Sequence, residues 1–182
     1  RRTCLYLGDI GDNFSRRAEV RFVVLEERER FEGTVTPLRT ITARYPEGAQ
    51  DAESFAIHPN GDLYLVTKPR DLLNRRAGVA RIYRLTAAQL AVSDGSVQTF
   101  ERVGEIDLPY LLYMNGLAGQ IATAMDFAPD GSRALILTYQ SIVEVGFDFS
   151  RGVPATRSWQ AADYRVLPIT PPLPQAETVA YA

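Results

Sequence analysis

One pattern occurs twice in this chain, and its opening half returns near the C-terminus. Residues 51–68 read DAESFAIHPNGDLYLVTK, and residues 122–139 read ATAMDFAPDGSRALILTY. Residues 175–182, QAETVAYA, begin the pattern once more. Each full copy places a short apolar run on either side of a Pro-x-Gly turn, Pro59-Asn60-Gly61 and Pro129-Asp130-Gly131. The runs are rich in β-branched and aromatic residues and too short for helices between Gly and Pro punctuation. They read as two hairpin strands. A hairpin recurring at long intervals is the signature of a radial array of small sheets, an all-β β-propeller.

In that scheme each hairpin supplies the inner strands, A and B, of a four-stranded blade. Residues 79–85 (VARIYRL) and 100–108 (FERVGEIDL) read as strands C and D of one blade, with a short helical turn at 87–92 and a loop at 93–96. Residues 141–149 and 164–169 read as C and D of the next. At the N-terminus, residues 4–9 resemble 63–68 and read as a B strand. Residues 19–26 and 38–44 follow as C and D. The chain therefore reads as about three four-stranded blades in permuted register. The blades span 3–45, 51–108 and 121–169, and an A strand at 175–182 starts the next blade or closes the ring. The spacing of the copies exceeds the roughly 40–50 residues of compact blades. Long loops are expected at 110–119 and 168–174. A ring needs about 4–8 blades. Pairing of two chains would satisfy that number, but the favoured expectation is a piece of a longer, six-bladed propeller. Open blade faces would then make the isolated polypeptide self-associate.

Composition narrows the chemistry. A net charge of −2 and a pI near 5.5 argue against general attraction to nucleic acid. No apolar run reaches the length of a membrane span. Cys4 is the only cysteine, so neither an internal disulfide nor a cysteine-based zinc site can form. His58, the only histidine, precedes Pro59 in a turn, where an exposed position is expected. Catalysis by Ser-His-Asp or Cys-His is not expected.

In a propeller, A strands start and B strands end on one face of the disc, around the central channel. Glu53, Thr123 and Glu177 start A strands, and Asp9, Lys68 and Tyr139 end B strands. Asp12 and Asn13 lie just beyond one B strand, in Gly8-Asp9-Ile10-Gly11-Asp12-Asn13, and Asp51 lies just before one A strand. A polar, mostly acidic rosette is expected there, binding a small molecule or a protein. Several oxygen ligands around one point suit Ca²⁺, with Asp9, Glu53 and Glu177 as candidate metal ligands. Lys68 either steadies an anion or neutralises Glu53 or Asp9. Asp and Asn also serve loops by bonding their own backbone, so both readings of this cluster stand. Tyr64, Tyr83 and Phe127 read as core and Trp159 as blade-edge packing. Arg16-Arg17 and Arg75-Arg76 read as solvated pairs. The apolar stretch 108–114 either caps a blade or grips another protein.

The segment Asp51-Ala52-Glu53-Ser54-Phe55-Ala56-Ile57-His58-Pro59-Asn60-Gly61, echoed by Glu177-Thr178-Val179-Ala180, resembles the inner-strand motif of bacterial phytase-like and esterase-like propellers. It is more distantly similar to that of gluconolactonase-type calcium-dependent lactonases. The resemblance implies a secreted or periplasmic protein and, as an alternative to a binding module, a Ca²⁺-dependent hydrolase of phosphoesters or lactones. An architectural role in protein–protein interaction is the third reading.

Overall fold

The computed structural model describes residues 3–71, 76–93, 95–171, 173 and 175–182. Three four-stranded sheets stack in sequence order. Sheet I holds β1 (Cys4–Asp9), β2 (Val20–Glu26), β3 (Arg39–Arg44) and β9 (Val97–Thr99), in that order. Sheet II holds β4 (Ala52–Ile57), β5 (Leu63–Thr67), β8 (Ala80–Leu85) and β10 (Glu101–Ile106). Sheet III holds β11 (Ala124–Phe127), β12 (Ala134–Leu137), β13 (Ser141–Val145) and β14 (Tyr164–Pro168). A two-residue ladder, β6 (Arg70–Asp71) with β7 (Arg76–Ala77), decorates the connection from β5 to β8. Of the two expected basic pairs, Arg75 lies outside the described residues. No described helix is long and apolar enough to cross a membrane.

Sheet II is the middle layer, and its strands are apolar on both faces for that reason. Side chains alternate across a strand. Leu63 and Leu65 therefore join Phe22, Val24 and Ile41 of sheet I, while Tyr64 and Val66 join Phe127, Ile136 and Val143 of sheet III. Every residue of β5 is buried. Tyr64, Tyr83 and Phe127 are core, as expected, and Trp159 packs on Phe147 and Tyr164 at the margin of sheet III.

The hairpins fold as the repeat predicts, and β4 and β11 are joined to their partners by tight turns. His58 is not exposed in its turn. It is buried between sheets II and III, edge-on to Tyr64 and Phe127. Its Nδ1 accepts from the Asn60 backbone N–H at 3.2 Å, so its proton sits on Nε2, 3.2 Å from the Gly131 carbonyl. The histidine locks one Pro-x-Gly turn to the other.

Three features depart from the sequence reading. Residues 97–99, which fall within the expected second blade at 51–108, form β9, which pairs in parallel with β3 and supplies the outer strand of sheet I. Residues 108–114 begin as a short helix (Leu108–Leu111), capped by Asp107. Leu108 and Leu112 cap the core, while Tyr110, Tyr113 and Met114 face solvent. Residues 175–182 do not form a strand. Residues 176–181 lie against β11 on the outward face of sheet III and pair with no strand among the described residues. Thr123 Oγ1 donates to the Ala176 carbonyl (2.7 Å), and the Tyr181 N–H donates to Asp126 Oδ2 (2.8 Å).

The alignment of residues 4–9 with 63–68 is also corrected by one position. Leu5 pairs with Leu25 as Leu63 pairs with Leu85, so Leu5-Tyr6-Leu7 takes the place of Leu63-Tyr64-Leu65. A slip of one residue moves every side chain to the opposite face. Ile10, not Asp9, therefore occupies the position of Lys68.

Candidate functional site

The inner strands of the three sheets share an end. There β4 and β11 begin, and β1, β5 and β12 finish. The turns at the other end of the hairpins are tight, whereas the chain leaves β1 and β5 at this end through Ile10 and Lys68. A cleft of about 290 Å³ opens among them. Sheet I contributes Gly8 and then Ile10 and Gly11 of the following loop. Sheet II contributes Ala52, Glu53 and Phe55, and sheet III is reached through Thr123. Glu177 completes the wall from the C-terminal segment. The three A-start positions, Glu53, Thr123 and Glu177, thus meet in one cavity.

Backbone geometry aims Glu53. The ladder between β4 and β5 shifts register between Ala52 and Ser54, leaving Glu53 as an extra, bulged residue. Bulges re-aim side chains at sheet ends, and this one turns the carboxylate toward the cleft. Lys68 forms an ion pair with Glu53 through Oε1. The Lys68 side chain is 3% exposed and that of Glu53 30%. Phe55 closes the floor by lying against Gly8, where a Cβ would meet its ring at 2.6 Å. Thr123 spends its hydroxyl on backbone carbonyls.

Behind the ion pair lies a second, polar cleft of about 170 Å³, lined by Asn13, Ser15, Gln50, Asp51, Lys68 and Pro69. Glu53 faces the larger cleft and Lys68 the smaller, so the pair forms the partition between them. The buried Asp51 carboxylate accepts from the Asp12 N–H at 3.0 Å. Asp12, also buried, accepts from the Arg17 N–H at 2.6 Å. Ser15 takes a φ of +48°, a conformation uncommon outside glycine. The Tyr45 hydroxyl is buried beside these groups with no partner among the described residues. Burial foremost, with Tyr83, Asp51 and Asp12 nearby, pushes its pKa well above the ordinary phenol range.

The predicted rosette is therefore divided. Glu53 and Glu177 line the larger cleft, and Asn13, Asp51 and Lys68 the smaller. Asp12 ties the loop together. Tyr139, half-buried at the end of β12, does not line either cleft. Asp9 points away, exposed, and receives both Arg17 guanidinium nitrogens at 2.7 and 2.8 Å. The Arg17 hydrogen bond holds the Asp9 carboxyl below its usual pKa. Arg17 is accordingly no solvated bystander. It staples the loop through Asp9 and the Gly11 carbonyl, and Arg16 lies over the Phe14 ring.

The calcium set Asp9, Glu53 and Glu177 is not assembled. Arg17 holds Asp9, Lys68 holds Glu53, and no group of three or more His, Cys, Asp or Glu side chains among the described residues is placed to hold a metal ion. The larger cleft has neither His nor Cys in its wall, and His58 belongs to the opposite end of the hairpins. The wall of the larger cleft presents two carboxylates, several backbone groups and one aromatic ring. Sequence reasoning missed Gln50, Ser15 and Phe55. Gln50 adjoins Asp51, but nothing local marks the other two.

No known protein family is matched by this chain. No curated protein matches it either.

Proposed function

We propose that the three sheets are blades of a β-propeller of the phytase-like, esterase-like kind, and that the chain is a binding module. Its ligand sits in the cleft at the inner-strand ends and carries a compact positive charge on an apolar stem, such as an alkylamine, an alkylguanidine or a basic peptide side chain. The convergence of Glu53, Thr123 and Glu177 from separate segments carries this reading. An ammonium or guanidinium group would meet Glu177 and the Glu53 Oε2 oxygen, which Lys68 does not occupy and which has no hydrogen-bond partner among the described residues, while its stem would pack on Phe55 and Ile10. A calcium-dependent hydrolase is supported less well, because Arg17 and Lys68 already occupy two of its three carboxylates. A protein-docking role draws on Tyr113 and Met114, whose 75% and 80% exposure is high for such residues.

The test is titration with methylguanidine, n-propylamine and, as controls, acetate and glycerol, followed by amide chemical shifts. The two cations are expected to move the Gly8, Gly11, Glu53 and Thr123 amides, and Glu53→Gln with Glu177→Gln to abolish the response. Shifts that are absent, or that persist in the double variant, overturn the reading.

A further inference from the structure

Resting on the cation-binding reading of the larger cleft, we infer that this cleft selects a primary ammonium over a guanidinium, and that Lys68 imposes the choice without lining the cleft itself. A guanidinium binds a carboxylate best as a planar fork, with two parallel N–H groups on the two oxygens at once. An ammonium is a compact charge with three rotatable N–H donors, each of which needs only one oxygen. The two cations therefore make different demands on Glu53.

Glu53 has one oxygen to give. Its Oε1 is held by the Lys68 ammonium. Its Oε2 is buried and has no hydrogen-bond partner among the described residues. A ligand does not readily take Oε1 from Lys68. The Lys68 side chain is 3% exposed, so losing its carboxylate would leave an ammonium in the interior without a counter-charge, which is strongly unfavourable. A fork on Glu53 is closed off for as long as Lys68 is present. A recessed single oxygen also favours the smaller donor head.

The other acceptors suit three separate donors. The Thr123 hydroxyl donates to the Ala176 carbonyl at 2.7 Å, which leaves its own lone pairs to accept. Glu177 adds a second carboxylate, and all three side chains line the same cleft. Three acceptor groups from three segments match the three N–H groups of an ammonium. A guanidinium brings five, and the rest of the wall, Gly8, Ile10, Gly11, Ala52 and Phe55, holds no further side-chain acceptor. Lys68 is thus a positioning residue: it acts on the ligand by fixing which oxygen of Glu53 is free.

The test compares n-propylamine with n-propylguanidine, which share a stem and are both cations at pH 7. Titrations followed by the Gly8, Gly11 and Thr123 amide shifts give a Kd for each, and the ratio isolates the head group. The wild type is expected to bind the amine about tenfold more tightly, the worth of one charge-assisted hydrogen bond. Lys68→Met frees Oε1 and changes no residue of the cleft wall. Both cations gain from the loss of a nearby positive charge, and that gain cancels in the ratio. The fork becomes available, so the ratio is expected to shift towards the guanidine by about tenfold. A purely structural role for Lys68 would weaken both ligands alike and leave the ratio unmoved. Equal affinities in the wild type overturn the inference, as does a ratio unchanged in Lys68→Met, while the cation reading of the cleft stands in both cases. Binding of neither ligand to the wild type removes that reading and this inference with it.

Discussion

Removing either member of the Glu53–Lys68 pair should destabilise the fold, but unequally. The Lys68 side chain is 3% exposed and that of Glu53 is 30%. Glu53→Gln strands an ammonium in the interior with its carboxylate gone. Breaking a fully buried pair costs about 3–5 kcal/mol, and the partial exposure of Glu53 brings the expectation to about 3 kcal/mol. Lys68→Met leaves a carboxylate that can turn into the cleft and hydrate, so about 1 kcal/mol is expected, nearer to the value of an exposed pair. The double variant removes the stranded charge and should be more stable than Glu53→Gln by about 1–2 kcal/mol. Urea unfolding at pH 7 of the four proteins gives the complete cycle. Equal losses from the two single variants would refute the reasoning, because the burial difference would then have no energetic consequence. Additive losses would refute the pairing itself.

Gly131→Ala should cost about 3–4 kcal/mol, combining the left-handed φ of +72° with a Cβ that meets His58 Nε2 at 2.5 Å. Gly48→Ala, at φ +88° with nothing within 4 Å, should cost only about 1–2 kcal/mol; equal denaturation midpoints would show that His58 is not lodged against the turn. Burial first, and then the hydrogen bond to Glu47, pushes the Tyr83 phenol up to about 12. The unfolded phenol titrates near 10, so this stability is complete below pH 10 and is lost as pH rises towards 12. Tyr83→Phe should flatten that fall in denaturant midpoints measured from pH 9 to 12. The Asp9 carboxyl is held below its ordinary value, so its contribution is present above about pH 4 and fades as pH falls through the folded value. Because the pair is exposed, Arg17→Gln should remove no more than about 0.5 kcal/mol of it, while markedly speeding proteolysis of the 10–17 loop.

Much of the strand order is legible locally. Apolar alternation bounded by Pro-x-Gly turns finds β4, β5, β11 and β12, because period and turn chemistry are properties of a few adjacent residues. Their recurrence places Glu53, Thr123 and Glu177 at equivalent positions, and these do meet. Asp9 fails for a specific reason: the repeat is degenerate near Leu5-Tyr6-Leu7, and one residue of slip exchanges the two faces of β1. His58 fails because its surroundings come from sheet III, 73 residues away.

The amino-acid sequence alone carries the kind of element, the turn positions and the inner-strand repeat, since these depend on neighbours within a few residues. Only the three-dimensional packing decides which carboxylates share a cavity and which are held by arginine or lysine. It also decides that residues 97–99 cross over to complete sheet I and that residues 176–182 lie unladdered on sheet III. Those outcomes depend on pairings between distant segments, where a bulge at Glu53 or a one-residue register choice at β1 redirects a side chain without leaving a mark in local composition.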